Sequence, residues 1–178
     1  MQLTFINGSP RPAKSNTGRL MEHFIRGFLE TAGNTRHRKN LDALAENFAS
    51  SESVIIGFPL YVDAMPGSVK EFIEALEPLS GSKQLPALGF VIQCGFPETA
   101  HLRFVERYCA KLTRRLGCRP LGCILKGGCE GLDVQPDFLT AKYYLAFQAI
   151  GLHFGKTGIF DETLLKKLAH PENLKAEN

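Results

Sequence analysis

Four short apolar runs, each followed by a stretch of helical spacing, constrain this chain more than any other feature. They are Leu3-Thr4-Phe5-Ile6, Val54-Ile55-Ile56-Gly57-Phe58, Ala87-Leu88-Gly89-Phe90-Val91-Ile92 and Leu121-Gly122-Cys123-Ile124-Leu125. The runs are continuous rather than alternating, so a strand built from one must be covered on both faces. That condition is met by a parallel sheet between two helix layers.

The intervening stretches have the matching period. Leu20, Met21, Phe24, Ile25, Phe28 and Leu29 form one helical face, and Val69, Phe72, Ile73 and Leu76 form another that ends at Pro78. Leu102, Val105, Cys109, Leu112 and Leu116 make a longer stripe, with Gly117 as its stop. Residues 137–154 predict a last major helix and Glu162–Ala169 a short one. Between the first two runs, Asn34-Thr35-Arg36-His37-Arg38 reads as a short edge strand, where charge discourages edge-to-edge pairing. Leu41–Ala49 then supplies a helix. The expectation is one α/β domain over residues 1–178, three-layered and doubly wound around a five-stranded parallel sheet.

Composition narrows the functional classes. With 44% hydrophobic and 22% charged residues, the 178-residue chain can bury a core without disulfides or metals. No run approaches the ~18 apolar residues of a membrane span. The start, MQLTFINGSPRPAK, lacks the basic n-region of a signal peptide. Net charge is only +3, and the densest basic runs, Arg36-His37-Arg38-Lys39 and Arg114-Arg115, are short, so nucleic acid is not an expected partner. Five cysteines include no CxxC pair, which argues against a metal site or disulfide framework and for a reducing, cytoplasmic setting.

In open α/β sheets, ligands bind beyond the carboxyl ends of the strands. Three loops stand out there. Gly8-Ser9-Pro10-Arg11-Pro12-Ala13-Lys14-Ser15-Asn16-Thr17 lacks both GxxxxGK[ST] and GxGxxG. It nevertheless places Ser9, Arg11, Ser15, Asn16 and Thr17 around a helix start, where free N–H groups and the dipole favour an anion. Ser15 or Asn16 would also suit an N-cap, but four hydroxyl or amide groups and an arginine exceed what a cap requires.

The second loop, Pro59-Leu60-Tyr61-Val62-Asp63-Ala64-Met65-Pro66-Gly67, reads equally as a wall for a planar aromatic ligand or as a surface turn. The third, Gln93-Cys94-Gly95-Phe96-Pro97-Glu98, offers backbone approach at Gly95. It also suits a plain helix entry. Cys94 lacks an identifiable histidine partner, so a passive thiol is favoured over a nucleophile.

Together these loops resemble the flavodoxin-like NAD(P)H-dependent FMN reductase family, in the branch that includes the iron–sulfur flavoproteins. The resemblance rests on Gly8-Ser9-Pro10-Arg11 with Ser15-Asn16-Thr17, and on Pro59-x-Tyr61 with Met65-Pro66-Gly67 and Lys70-x-Phe72-Ile73. Lys126-Gly127-Gly128-Cys129-Glu130-Gly131 is also similar. It implies that Ser9, Arg11, Ser15, Asn16 and Thr17 hold an FMN phosphate. Pro59, Leu60, Tyr61 and Val62 would line the ribityl chain and ring, and Cys94, Gly95 and Phe96 would meet the ring's other edge.

It further implies NADH or NADPH as co-substrate, a small-molecule acceptor such as a quinone, flavin, nitro or azo compound, and a homodimer. The flavin would carry the chemistry, so no protein acid or base is named as catalytic. A flavodoxin-type electron carrier and a flavin-free structural or regulatory member are the rivals. No cysteine precedes Cys94, whereas iron–sulfur relatives carry a cysteine cluster earlier, so an iron–sulfur cluster is not expected. The short 34–52 region implies an open ring or one covered by a partner subunit.

Overall fold

The computed structural model describes residues 2–32, 34–38, 48–132 and 134–174. Its strands are β1 (Gln2–Asn7), β2 (Asn34–Arg38), β3 (Ser53–Pro59), β4 (Ala87–Gln93) and β5 (Arg119–Lys126). Its helices are α1 (Asn16–Ala32), α2 (Gly67–Glu74), α3 (Arg103–Leu116), α4 (Asp137–Thr157) and α5 (Glu162–Leu168). The helix expected over Leu41–Ala49 lies, but for its last two residues, outside the described residues.

The strands run in the order β2-β1-β3-β4-β5, and every neighbouring pair is parallel. β1, β3, β4 and β5 carry the apolar faces. β2 joins by backbone pairing along β1, and its sequence has no apolar residue to give either face. The apolar core of the sheet is thus four-stranded, with β2 paired at its edge.

Side chains of the continuous runs divide between two cores, as a doubly covered sheet requires. Phe5, Ile55, Val91 and Ile124 meet α1 and α4. Ile6, Ile56, Phe90 and Leu125 meet α2 and α3 on the other face. Each such side chain, when fully buried, contributes about 1.5–3 kcal/mol relative to exposure. Phe24 of α1 shows the packing: its ring lies 5.4 Å from Phe5, 5.9 Å from Phe154 and 6.1 Å from Phe160.

α1 and α4 touch backbone to backbone through glycines. A Cβ on Gly27 would lie 1.9 Å from the Gln148 carbonyl oxygen, and one on Gly151 would lie 2.0 Å from that of Phe24. α3 stops where its sequence says, because Gly117 takes the left-handed conformation (φ 85°). Among the described residues no helix is long and apolar enough to cross a membrane. No group of three or more metal-ligating side chains gathers among them either.

The parallel ladder continues past the strand ends. Gly8 N–H donates to the Gly57 carbonyl at 2.7 Å, Leu60 to Gln93 at 2.7 Å, and Cys94 to Lys126 at 3.1 Å. Cys129 returns a bond to the Cys94 carbonyl at 2.9 Å, and Gly128 donates to Phe96 at 2.6 Å. The loops after β1, β3, β4 and β5 are therefore stitched into one platform.

Candidate functional site

Two clefts open side by side on this platform. The first, about 280 Å³, is lined by Ser9, Arg11, Lys14, Ser15, Asn16, Pro59, Tyr61 and Gln93. The second, about 230 Å³, is lined by Leu60, Val62, Asp63, Cys94, Gly95, Phe96 and Glu130. Successive residues of one loop (Pro59 to Val62) and of another (Gln93, Cys94) alternate between the two, so together they form one trough. Its size falls within the ~300–1,000 Å³ of small-ligand sites.

The first cleft sits at the start of α1, and the local sequence explains its form. Asn7, at the end of β1, accepts from Ser9 N–H at 3.1 Å and donates Nδ2 to Ser15 Oγ at 3.2 Å. Pro12 begins a single 3-10 turn that delivers Ser15 to the helix start. Ser15 Oγ accepts from Gly18 N–H at 2.9 Å, which is the N-cap bond to the third helical residue. Among the described residues, no acceptor takes the backbone N–H of Asn16 or Thr17. The helix has no acid in its first turn, and Arg11 and Lys14 stand exposed beside it. Amide hydrogens, dipole and two cations thus converge where an anion would bind.

Of the twelve residues singled out from sequence, eleven line the trough. Thr17 is the exception. Its side chain is fully buried, its hydroxyl accepts from Gln93 Nε2 at 3.2 Å, and its methyl packs where a Cβ on Gly57 would lie 2.9 Å away. Ser15 lines the cleft but its oxygen is engaged by the cap. Asn16 lines it too, with Nδ2 donating to the Cys129 carbonyl at 2.5 Å, which ties α1 to the β5 loop.

The second cleft has an unusual wall. Tyr61 and Ala64 exchange backbone bonds of 2.9 and 3.0 Å across a two-residue turn whose central residues have positive φ, 48° at Val62 and 58° at Asp63. A left-handed valine is a strained conformation costing on the order of 1–3 kcal/mol. Val62 is 98% exposed, so packing does not compel it. On the opposite wall Phe96 stacks on His101, with centroids 4.7 Å apart.

Cys94 is no nucleophile in this setting. Burial pushes its pKa up, more than the Phe96 backbone hydrogen bond and the charge of Lys126 lower it, and its thiol donates to the Phe96 carbonyl. Cys129, behind it, is pushed up to about 12 by burial. Both stay thiols at neutral pH.

Sequence reasoning missed Asn7, Lys14, Gln93, Asp63 and Glu130. Gln93 carried a signal, as the polar residue ending an otherwise apolar strand, and Asn7-Gly8 ends β1 in the same way. Asp63 and Glu130 are brought together only by the turn and by the β4–β5 stitching.

No protein-family model and no curated protein matches the chain. Solved structures do. An FMN-dependent NADH-azoreductase from Bacillus anthracis, in complex with FMN, superposes with a TM-score of 0.67 at 13% identity, covering 86% of this chain and 99% of that one. An NAD(P)H:quinone oxidoreductase from Methanothermobacter marburgensis gives 0.62 at 12% identity, covering 86% and 96%. An NADPH-quinone reductase from P. pentosaceus gives 0.62 at 17% identity, covering 83% and 96%.

The fold is flavodoxin-like.

The strand order agrees, since 2-1-3-4-5 is the flavodoxin-like order, whose ligands lie at the carboxyl ends beside the β1–β3 switch point. In this flavodoxin-like chain both clefts lie at the carboxyl ends, and the first, between the β1 and β3 loops, is at the switch point.

Proposed function

We propose that this chain is an FMN-dependent NAD(P)H oxidoreductase acting on a small electron acceptor of the quinone, flavin, nitro or azo class. One observation carries the reading: the loops after β1, β3, β4 and β5 converge on one trough whose α1 end is cationic and whose other end sets Leu60, Val62 and Phe96 beside Asp63 and Glu130. The residues present fit FMN in chemistry. Ser9, Arg11, Lys14 and the N–H group of Asn16 would hold the phosphate, with Thr17 buried behind them. Pro59, Tyr61 and Gln93 would flank the ribityl chain. Leu60, Val62, Cys94, Gly95 and Phe96 would border the ring.

Bound FMN would supply two-electron chemistry, accepting a hydride from reduced nicotinamide and reducing the second substrate. In the overall reaction nicotinamide gives a hydride and solvent a proton, so a quinone leaves as hydroquinone. The chain's part is to bind and orient. The Tyr61–Ala64 turn and the Phe96 loop leave the cleft open between them for two substrates in succession.

A homodimer belongs to the same reading. Phe104 and Tyr108 are 71% and 47% exposed on α3, more apolar surface than an isolated helix face requires. The five thiols, all unpaired, support a reducing cytoplasmic setting.

The test is a visible spectrum of protein mixed with FMN and desalted, followed by anaerobic NADH or NADPH. One flavin per chain should be retained, a nucleotide should bleach it, and a quinone should restore the colour. A colourless protein refutes flavin binding. Bound flavin that only dithionite reduces replaces the enzyme with an electron carrier.

A further inference from the structure

The two halves of the trough are oppositely charged. The cleft at α1 contains Arg11 and Lys14 and no acid. The ring-side cleft contains Asp63 and Glu130 and no base. Glu130 lies over the β4 loop at Gly95, where a Cβ would meet its Cβ and Oε2 at 3.4 Å, in ordinary contact. Asp63 is held opposite by the closed Tyr61–Ala64 turn. Glu98 adds a third carboxylate behind Phe96, 3.9 Å from His101 Nε2. The cation acting on Cys94 and Cys129 is Lys126, which is buried. Its ammonium donates to the Gly127 carbonyl and lies over the Tyr143 ring, 4.1 Å from the centroid, rather than in the cleft.

We propose that Asp63 and Glu130 select the electron acceptor by charge, so that the ring-side cleft takes neutral or cationic planar acceptors and rejects sulfonated or carboxylated ones. This rests on the FMN reading above. Phosphate and acceptor would then be sorted along one trough: the anion to Arg11 and Lys14, the uncharged or positive ring system to the carboxylates. An exposed carboxylate a few ångströms from a ligand charge changes affinity roughly 5- to 10-fold. Two of them separate a monocation from a monoanion by about 100-fold or more.

The experiment uses FMN-loaded protein without nucleotide and three probes: 1,4-naphthoquinone, its sulfonate, and its trimethylammonium derivative. Binding is read by equilibrium dialysis at low salt. The expected order of affinity is cationic, neutral, anionic, with the spread shrinking as salt is raised beyond ~0.1 M, where the screening length is about 10 Å. Asp63→Asn with Glu130→Gln should bring the three within about threefold of one another, and each single variant should recover about half of that change on a logarithmic scale. Equal binding of the three probes, binding of none, or an order that persists in the double variant overturns the proposal while leaving the FMN reading intact. Failure to retain FMN refutes that reading itself, and the proposal with it.

Discussion

Removing the phosphate from the ligand is the sharpest perturbation of the α1 end. The N–H of Asn16, which lines the cleft, has no acceptor there among the described residues, and a hydrogen bond to a charged partner contributes ~1.5–3 kcal/mol. The helix dipole adds ~0.3–1 kcal/mol. Arg11 and Lys14 are exposed, so each is limited to ~0.2–1 kcal/mol by solvent screening. A net preference on the order of 4 kcal/mol follows, or FMN about 10³-fold tighter than riboflavin. Flavin fluorescence quenching measures both affinities. Arg11→Ala should weaken FMN by at most about fivefold without changing apoprotein stability. Ser15→Ala should behave differently, because its oxygen caps α1 and accepts from Asn7. Its loss should cost ~1–2 kcal/mol and lower Tm by about 2–8 °C. Riboflavin binding within threefold of FMN, or a Ser15→Ala protein with unchanged Tm, would refute this division of roles.

Gly27→Ala or Gly151→Ala should lower Tm by several degrees by scanning calorimetry, because the clash with a helix carbonyl outweighs the ~1 kcal/mol gained in helix propensity. Gly67→Ala, where a Cβ meets open space, is the control and should not destabilise. All five thiols should resist a disulfide reagent at neutral pH and react fully in denaturant, since they are buried and Cys118 and Cys129 are raised to about 11 and about 12. Arg103 holds Glu172 through bonds of 2.8 and 2.6 Å and depresses its pKa below the usual 4.5. The stability it gives is present above that value and fades as pH falls through the depressed one. The Tm difference between the native protein and Glu172→Gln should therefore shrink in acid.

The apolar runs and helical stripes were legible because burial on two faces leaves a continuous pattern that no tertiary detail can mask. Helix stops were equally local, as Gly117 shows. The trough was legible as loops but not as contacts. Ser15 and Thr17 looked alike in sequence, both hydroxyls at one helix start. Only the distant partner Gln93, with Gly57 leaving room for the methyl, turns Thr17 inward. The left-handed Val62-Asp63 turn had no glycine or asparagine to announce it. It is held instead by long-range bonds such as Leu60 to Gln93. Pairing of Glu130 with Gly95 likewise depends on residues 35 positions apart meeting across the sheet.

The stitching of the loops has a thermodynamic and kinetic consequence. A ligand that must order a flexible loop loses about 1–2 kcal/mol for each residue it fixes. Here the walls are already fixed by backbone bonds from Gly8 to Gly57, Leu60 to Gln93, and Cys94 to Lys126. Binding therefore meets a surface with little conformational entropy left to lose, and contact energy appears as affinity. Association should follow a single phase, linear in ligand concentration, with no slow closing step. The amides of Gly8, Leu60, Cys94 and Cys129 should be protected from hydrogen exchange even before any ligand arrives.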